Sequence, residues 1–316
     1  MTATARTGSP RRPHDETVRL RPLDGTGHGE KTVRIRHIVS GFDGKTVRLR
    51  PLDLPVVADV AKTVRERYAD LKKQEIRPPN RWEIARMALV MLLASMPILG
   101  ISVDVFGLVP QHVTSVVLIA LTAVLGALVT FVPHRTDVIV GRGLIAGMVA
   151  CIVYDGARLF AVHALGLMGD FIPVMGSWVT GEPDTAGSAA VGYVWRYIGD
   201  GGGLGVAFFV VAFALGIDRW RNVYAVLAAV AFAVFPTWTG LIATVALAPR
   251  GEQMMFPLNA ATVSVTLIGH LIFGLFLGLA FLKAPRGRQR SEWPWPPILE
   301  TTAVRRFLPV VTHRQP

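Results

Sequence analysis

Apolar and polar positions along this chain fall into long blocks rather than into the short alternations of a soluble domain. Six apolar runs, 84–108, 113–132, 143–167, 191–217, 223–247 and 260–282, are each long enough to cross a hydrocarbon core, which needs about 20 helical residues. Lipid offers the backbone no hydrogen-bond partner, so runs of this length predict helices. The expected fold is an all-α membrane protein, a six-transmembrane-helix bundle over residues 81–283.

Other patterns flank the bundle. Val57, Val60, Val64, Tyr68 and Leu71 recur at helical spacing, with Lys62, Arg65, Lys72 and Lys73 beside them, which predicts an amphipathic juxtamembrane helix within 56–80. Pro78-Pro79 ends it, and Trp82 marks the interface where the first span begins. Residues 1–55 are polar and repetitive: Thr-Val-Arg-Leu-Arg-Pro-Leu-Asp stands at 17–24 and again at 46–53, with a degenerate copy at 31–37 and a remnant at 62–65. The period is too short and the intervening sequence too polar for a stacked solenoid, so this segment is expected to be a disordered basic tail carrying linear motifs. Within a copy the residues alternate as in a strand, and proline halts the pattern. Such a motif suits a partner's sheet edge, an anionic lipid surface or a kinase; Thr17, Thr32 and Thr46 are the candidate phosphorylation or partner-binding positions. A solvated tail without a partner is an equal alternative.

Charge refines the arrangement. The net charge is +11, yet residues 84–282 carry 8 Lys/Arg against 9 Asp/Glu, while residues 1–83 carry 18 against 11 and residues 283–316 carry 7 against 2. Basic tails beside membrane spans point to anionic lipid at the inner leaflet rather than to nucleic acid. Arg135 and Arg142, Arg219 and Arg221, and Lys283 to Arg290 all fall on one side of the expected bundle, and the loops opposite carry only Arg250. The positive-inside rule therefore puts both termini in the cytoplasm and the protein in the cell membrane. No signal peptide is visible in the polar N-terminal stretch. The C-terminal tail, 284–316, contains Trp293-Pro-Trp-Pro-Pro297, an extended segment whose indoles suit the head-group layer.

Candidate chemistry lies where lipid should be. Tyr154, Asp155 and Arg158 occupy the middle of the third run, and Arg196 and Asp200 the fourth. Charges at that depth cost several kcal/mol unless they pair or line a wet cavity, so they mark a candidate substrate or ion pathway. Counted from the ends of the runs, Arg158 and Asp200 lie equally deep, which makes them natural partners and places His163 level with Arg196. His270 sits mid-membrane in the sixth run, and Asp104 at the outer end of the first is placed at the same mouth. The run Gly199-Asp-Gly-Gly-Gly-Leu-Gly205 admits two readings: a broken helix lining a cavity, or small residues at a helix interface. Pro236 predicts a kink in the fifth span. The outer loop 168–190 includes an apolar stretch, 171–178, too short to span; it is expected to re-enter the bilayer or to cap the cluster.

No catalytic motif is recognisable, and neither a cofactor fingerprint nor a metal-ligand spacing is present. The lone cysteine, Cys151, lies within a span and reports nothing about redox compartment. The stretch Gly141-Arg-Gly-Leu-Ile-Ala-Gly-Met148 through Tyr154-Asp-Gly-Ala-Arg158, with the glycine-rich fourth span, resembles uncharacterised small polytopic integral membrane proteins of bacteria, actinobacteria among them. The resemblance covers residues 140–217. It implies association with secondary-metabolite pathways in some cases and assigns no activity or catalytic residue. Three functions remain open: transport or export of a small molecule or ion through the Asp/Arg cluster, a membrane-embedded enzyme or accessory protein of a biosynthetic pathway, and a scaffold that recruits a partner through its repeats.

Overall fold

A computed structural model describes residues 17–20, 31–34, 66, 77–182, 188–286 and 292–300. The expected amphipathic helix in 56–80, Thr46, the disorder of the N-terminal tail and most of the C-terminal tail lie outside the described residues. The chain divides into two units at Pro55. In the first, strands β1 (Thr17–Leu20) and β2 (Lys31–Arg34) pair antiparallel, with Thr17 opposite Arg34 and Thr32 opposite Arg19. The strand-like alternation of the repeat is thus realised by pairing one copy with another.

The second unit, in its described residues, is helical. Helix α1 (Arg81–Val105), α2 (Gln111–Phe131), α3 (Thr136–His163), α5 (Ser188–Leu215), α6 (Asn222–Leu247) and α8 (Ala260–Phe281) are long and apolar enough to cross a membrane. Two short helices, α4 (Ile172–Thr180) and α7 (Gly251–Met254), lie in the loops before α5 and α8. The six long helices alternate in direction; the end at which α1 begins is called proximal and the other distal. Helix α5 is the most enclosed, packed against α3, while α3 and α6 flank α8. Helix α2 is peripheral, touching α1 and α4.

Backbone donors at helix starts are met by local side chains. Asn80 accepts from the Glu83 amide and the Glu83 carboxylate accepts from the Asn80 amide, both at 2.9 Å, closing a capping box on α1. Asn259 and Thr262 do the same for α8. Ion pairs then lock the proximal end: Arg77 and His134 both reach Glu83, and Arg86 Nη2 donates to both Asp137 carboxylate oxygens at 2.7 and 2.8 Å, with Nε at 3.2 Å. Burial pushes the His134 imidazole below its usual pKa despite the Glu83 carboxylate 3.3 Å away.

The glycine-rich span is not broken. Helix α5 continues through residues 195–201 as a π-helical turn, Trp195–Gly201, and its glycines serve close packing. A Cβ on Gly143 would stand 2.8 Å from the Gly205 carbonyl and 2.9 Å from Val206 Cα; one on Gly147 would collide with the Gly201 carbonyl. Four glycines on two helices therefore let the backbones of α3 and α5 touch, the small-xxx-small arrangement. In α6 the residues around Pro236 form a second π-helical turn, Ala233–Trp238. Pro236 has no N–H for the Phe232 carbonyl, and the Thr237 hydroxyl donates to it at 3.1 Å instead.

The C-terminal indoles are covered by protein. Trp293 is 2% exposed and stacks on Phe213 at 6.1 Å, Trp295 packs edge-on against Trp293 at 4.9 Å, and the buried Glu292 is held by Arg142 at 3.0 and 3.1 Å. Residues 292–297 thus fold back onto the proximal end of the bundle. The Phe213 ring supplies the apolar surface that buries Trp293.

Candidate functional site

The five ionisable residues of spans three and four do converge, with a different pairing from the one their spacing suggests. Helix α3 ends at His163 and α5 begins at Ser188, so Asp155 and Arg196 each lie eight residues from the distal end, at about 12 Å by helical rise. They meet at 3.4 Å. Arg158 is one turn shallower and too far from Asp200. Its guanidinium bridges Asp155 at 3.1 Å and Asp170 at 2.9 Å, 1% exposed, with the Phe171 ring 5.6 Å away. Asp200, one turn deeper, pairs among the described residues with Arg196 alone, at 3.8 Å.

Asp170 is the residue that spacing missed. It sits in the turn before α4, outside any apolar run, and the only sequence signal is that Arg158 needs a partner at the distal end. His163 is not level with Arg196 but two-thirds exposed, 3.9 Å from Asp170. Asp104 does not join the cluster: it pairs with Arg250 and accepts the Gln111 amide at 3.0 Å, tying the α1–α2 turn to the loop before α8. Thr17 and Thr32 lie in the N-terminal ribbon.

Beside the cluster is a chamber of about 450 Å³. Helix α1 supplies Ala94, Ser95, Ile98, Leu99 and Ser102; α5 supplies Arg196, Asp200, Leu204 and Ala207; α6 supplies Phe232, Pro236, Thr237, Gly240, Leu241 and Thr244. Tyr154 of α3 and Thr266 and His270 of α8 complete the floor. The distal side is covered by Met168, Phe171, Met175 and Trp178, together with Met255 and Phe256, all buried or half-buried. In the outer loop, α4, called the cap below, packs antiparallel against the first turns of α5, with Ile172 beside Gly192 and Gly176 beside Ser188; its Met175 and Trp178 line the chamber, and Asp170 before it holds Arg158.

Polar groups occupy one wall. The Arg196 guanidinium lies 4.7 Å from the centre of the Tyr154 ring, and His270 meets the other edge of that tyrosine at 5.5 Å. His270 Nδ1 donates to the Thr266 carbonyl at 2.8 Å, which leaves Nε2 as the acceptor nitrogen. Trp238 Nε1 donates to the Thr266 hydroxyl at 3.1 Å. Gly269 makes room for Tyr154, whose ring would clash with any Cβ there.

The charges do not cancel. Three carboxylates, Asp155, Asp170 and Asp200, face two guanidiniums, Arg158 and Arg196; His163 adds positive charge only when protonated. The buried Asp155 Oδ2, Arg158 Nη2, Arg196 Nε and Asp200 Oδ1 lack a hydrogen-bond partner among the described residues. Asp155 and Arg158 are fully enclosed by protein, whereas Arg196 and Asp200 line the chamber. The cluster therefore has an enclosed half that holds α3, α5 and the cap together, and a chamber half where the loosest carboxylate faces the space. No grouping of His, Cys, Asp and Glu among the described residues is arranged to hold a metal ion.

Comparison with protein-family models, curated proteins and solved structures finds no match to this chain.

Proposed function

We propose that the protein is a multi-pass transporter of the cell membrane that moves a small molecule through the chamber, with Asp200 receiving the positive charge of the transported species. The observation that carries this reading is the surplus carboxylate: Asp200 lines the chamber, is 5% exposed and, among the described residues, is held by one cation, Arg196, at 3.8 Å. An incompletely compensated carboxylate at membrane depth gains most from a ligand that brings its own positive charge. Chamber size and a mostly apolar wall with a few convergent polar groups fit a small-molecule site. The basic loops at the proximal end support its placement in the cytoplasm, and the tails would there meet anionic lipid.

A scaffold function accounts for the enclosed half of the cluster, since Arg158 joins α3 to the cap. It leaves the chamber, and the second guanidinium on its wall, without a role. The test is transport in proteoliposomes of neutral phosphatidylcholine. A panel of cationic, neutral and anionic solutes is offered, and uptake is compared with protein-free vesicles. Cation-selective uptake that needs the protein is the expected result; uptake equal to that of empty vesicles for every solute refutes the reading.

A further inference from the structure

The chamber has a side opening. Leu99 on α1 is 53% exposed, and Pro236 and Gly240 on α6 are exposed as well, yet all three line the chamber. They are the lips of a slot between two helices. Helices α1 and α6 touch through the distal half of α6, where Ser102 Oγ and Thr244 Oγ1 lie 3.4 Å apart.

The slot lies at lipid depth. Leu99 is six residues from the distal end of α1, Gly240 seven and Pro236 eleven from the distal end of α6, about 9, 10 and 16 Å by helical rise. Asp200, twelve residues into α5, is at about 18 Å. Slot and carboxylate are thus both at depths inside a hydrocarbon core about 30 Å thick, with Met168, Phe171, Met175 and Trp178 of the outer loop lining the same chamber. A molecule dissolved in the bilayer meets the slot directly.

Resting on the transporter reading, we propose that the ligand is a membrane-dissolved amphiphile with one amine, which enters sideways between α1 and α6. Its ammonium seats against Asp200 and its chain lies along the apolar face of α1 and α6. Desolvating an ammonium in lipid is costly unless a carboxylate receives it, so the buried carboxylate at the end of an apolar path selects such a molecule over both its neutral and its anionic analogues.

The probe is dodecylamine carrying a diazirine at the end of its chain, photolysed in phosphatidylcholine proteoliposomes with the labelled peptides mapped. The expected result is labelling of 94–102 and 232–244 that unlabelled dodecylamine competes away and that dodecanol, dodecanoate and butylamine do not. Gly240→Trp should cut this labelling at least tenfold. A Cβ at Gly240 meets nothing within 4 Å, so the indole can fill the slot without moving backbone. Leu99→Trp closes the opposite lip and serves as the second variant, and both are read only in protein that elutes as the wild type does. Asp200→Asn should weaken competition by dodecylamine about tenfold.

Labelling unchanged by either tryptophan overturns lateral access. Competition by butylamine as strong as by dodecylamine overturns the amphiphile but leaves the transporter reading standing, because a water-borne amine then occupies the chamber. Competition by dodecanoate alone overturns the amine and assigns the site to Arg196. Labelling confined to lipid-facing positions overturns the ligand class, and the transport panel then decides separately whether the chamber has a substrate.

Discussion

Replacing Arg158 with methionine isolates the enclosed half of the cluster. The guanidinium is 1% exposed and holds two carboxylates at 3.1 and 2.9 Å, one on its own helix and one at the start of the cap. Methionine keeps much of the volume but removes both ion pairs. Breaking a buried pair from one side costs about 3–5 kcal/mol, because the remaining charge stays buried. Here the cost falls mainly on Asp170: Asp155 retains Arg196 at 3.4 Å, whereas Asp170 is left with an exposed histidine 3.9 Å away. Asp170 is itself 23% exposed and can recover part of its hydration, so the lower end, about 3 kcal/mol, is expected. The assay is equilibrium unfolding in mixed micelles followed by tryptophan fluorescence, with Trp178 on the cap as an internal reporter. Adding Asp170→Asn removes the stranded charge, so the double variant should be more stable than Arg158→Met alone. A single variant within 1 kcal/mol of wild type, or a double variant worse than the single, would refute the assignment of Arg158 as the tie between α3 and the cap.

Two further outcomes follow from packing. Gly147→Ala places a Cβ against the Gly201 carbonyl, so α3 and α5 must separate; overpacking of this kind costs about 1–3 kcal/mol, and thermal unfolding of the purified protein should fall accordingly, while Gly156→Ala, which meets nothing within 4 Å, should leave it unchanged. Trp293→Ala removes a side chain that is 2% exposed and should cost about 3–5 kcal/mol and expose the 292–297 segment to limited proteolysis; a head-group role would leave both readouts near wild type.

How far the sequence reaches depends on what the solvent enforces. The six spans are legible because lipid tolerates only runs that satisfy their own backbone, and all six appear near their expected places. Their ends are less so. The third helix stops at His163 rather than 167 and the fourth starts at Ser188 rather than 191, a few residues each, yet enough to give Asp200 to Arg196 instead of Arg158. The charged residues announce a cluster by depth alone, but Asp170 stands in a turn, where a carboxylate is ordinary. The chamber wall on α1 is hidden for a different reason: a helix between lipid and an apolar cavity is apolar on both faces, so no periodicity marks Ser95, Ile98 or Leu99 as inward. The glycines of α5 allow both a break and a close approach, and only the facing Gly143 and Gly147 of α3 decide between them.

The central claim is that Asp200 carries charge for the transported molecule rather than for the fold. Its most direct test is uptake of the best cationic solute by Asp200→Asn and Asp200→Glu proteoliposomes at matched protein content and matched unfolding midpoint. Uptake should fall at least tenfold in Asp200→Asn and persist in measurable part in Asp200→Glu. Wild-type uptake by Asp200→Asn would contradict it.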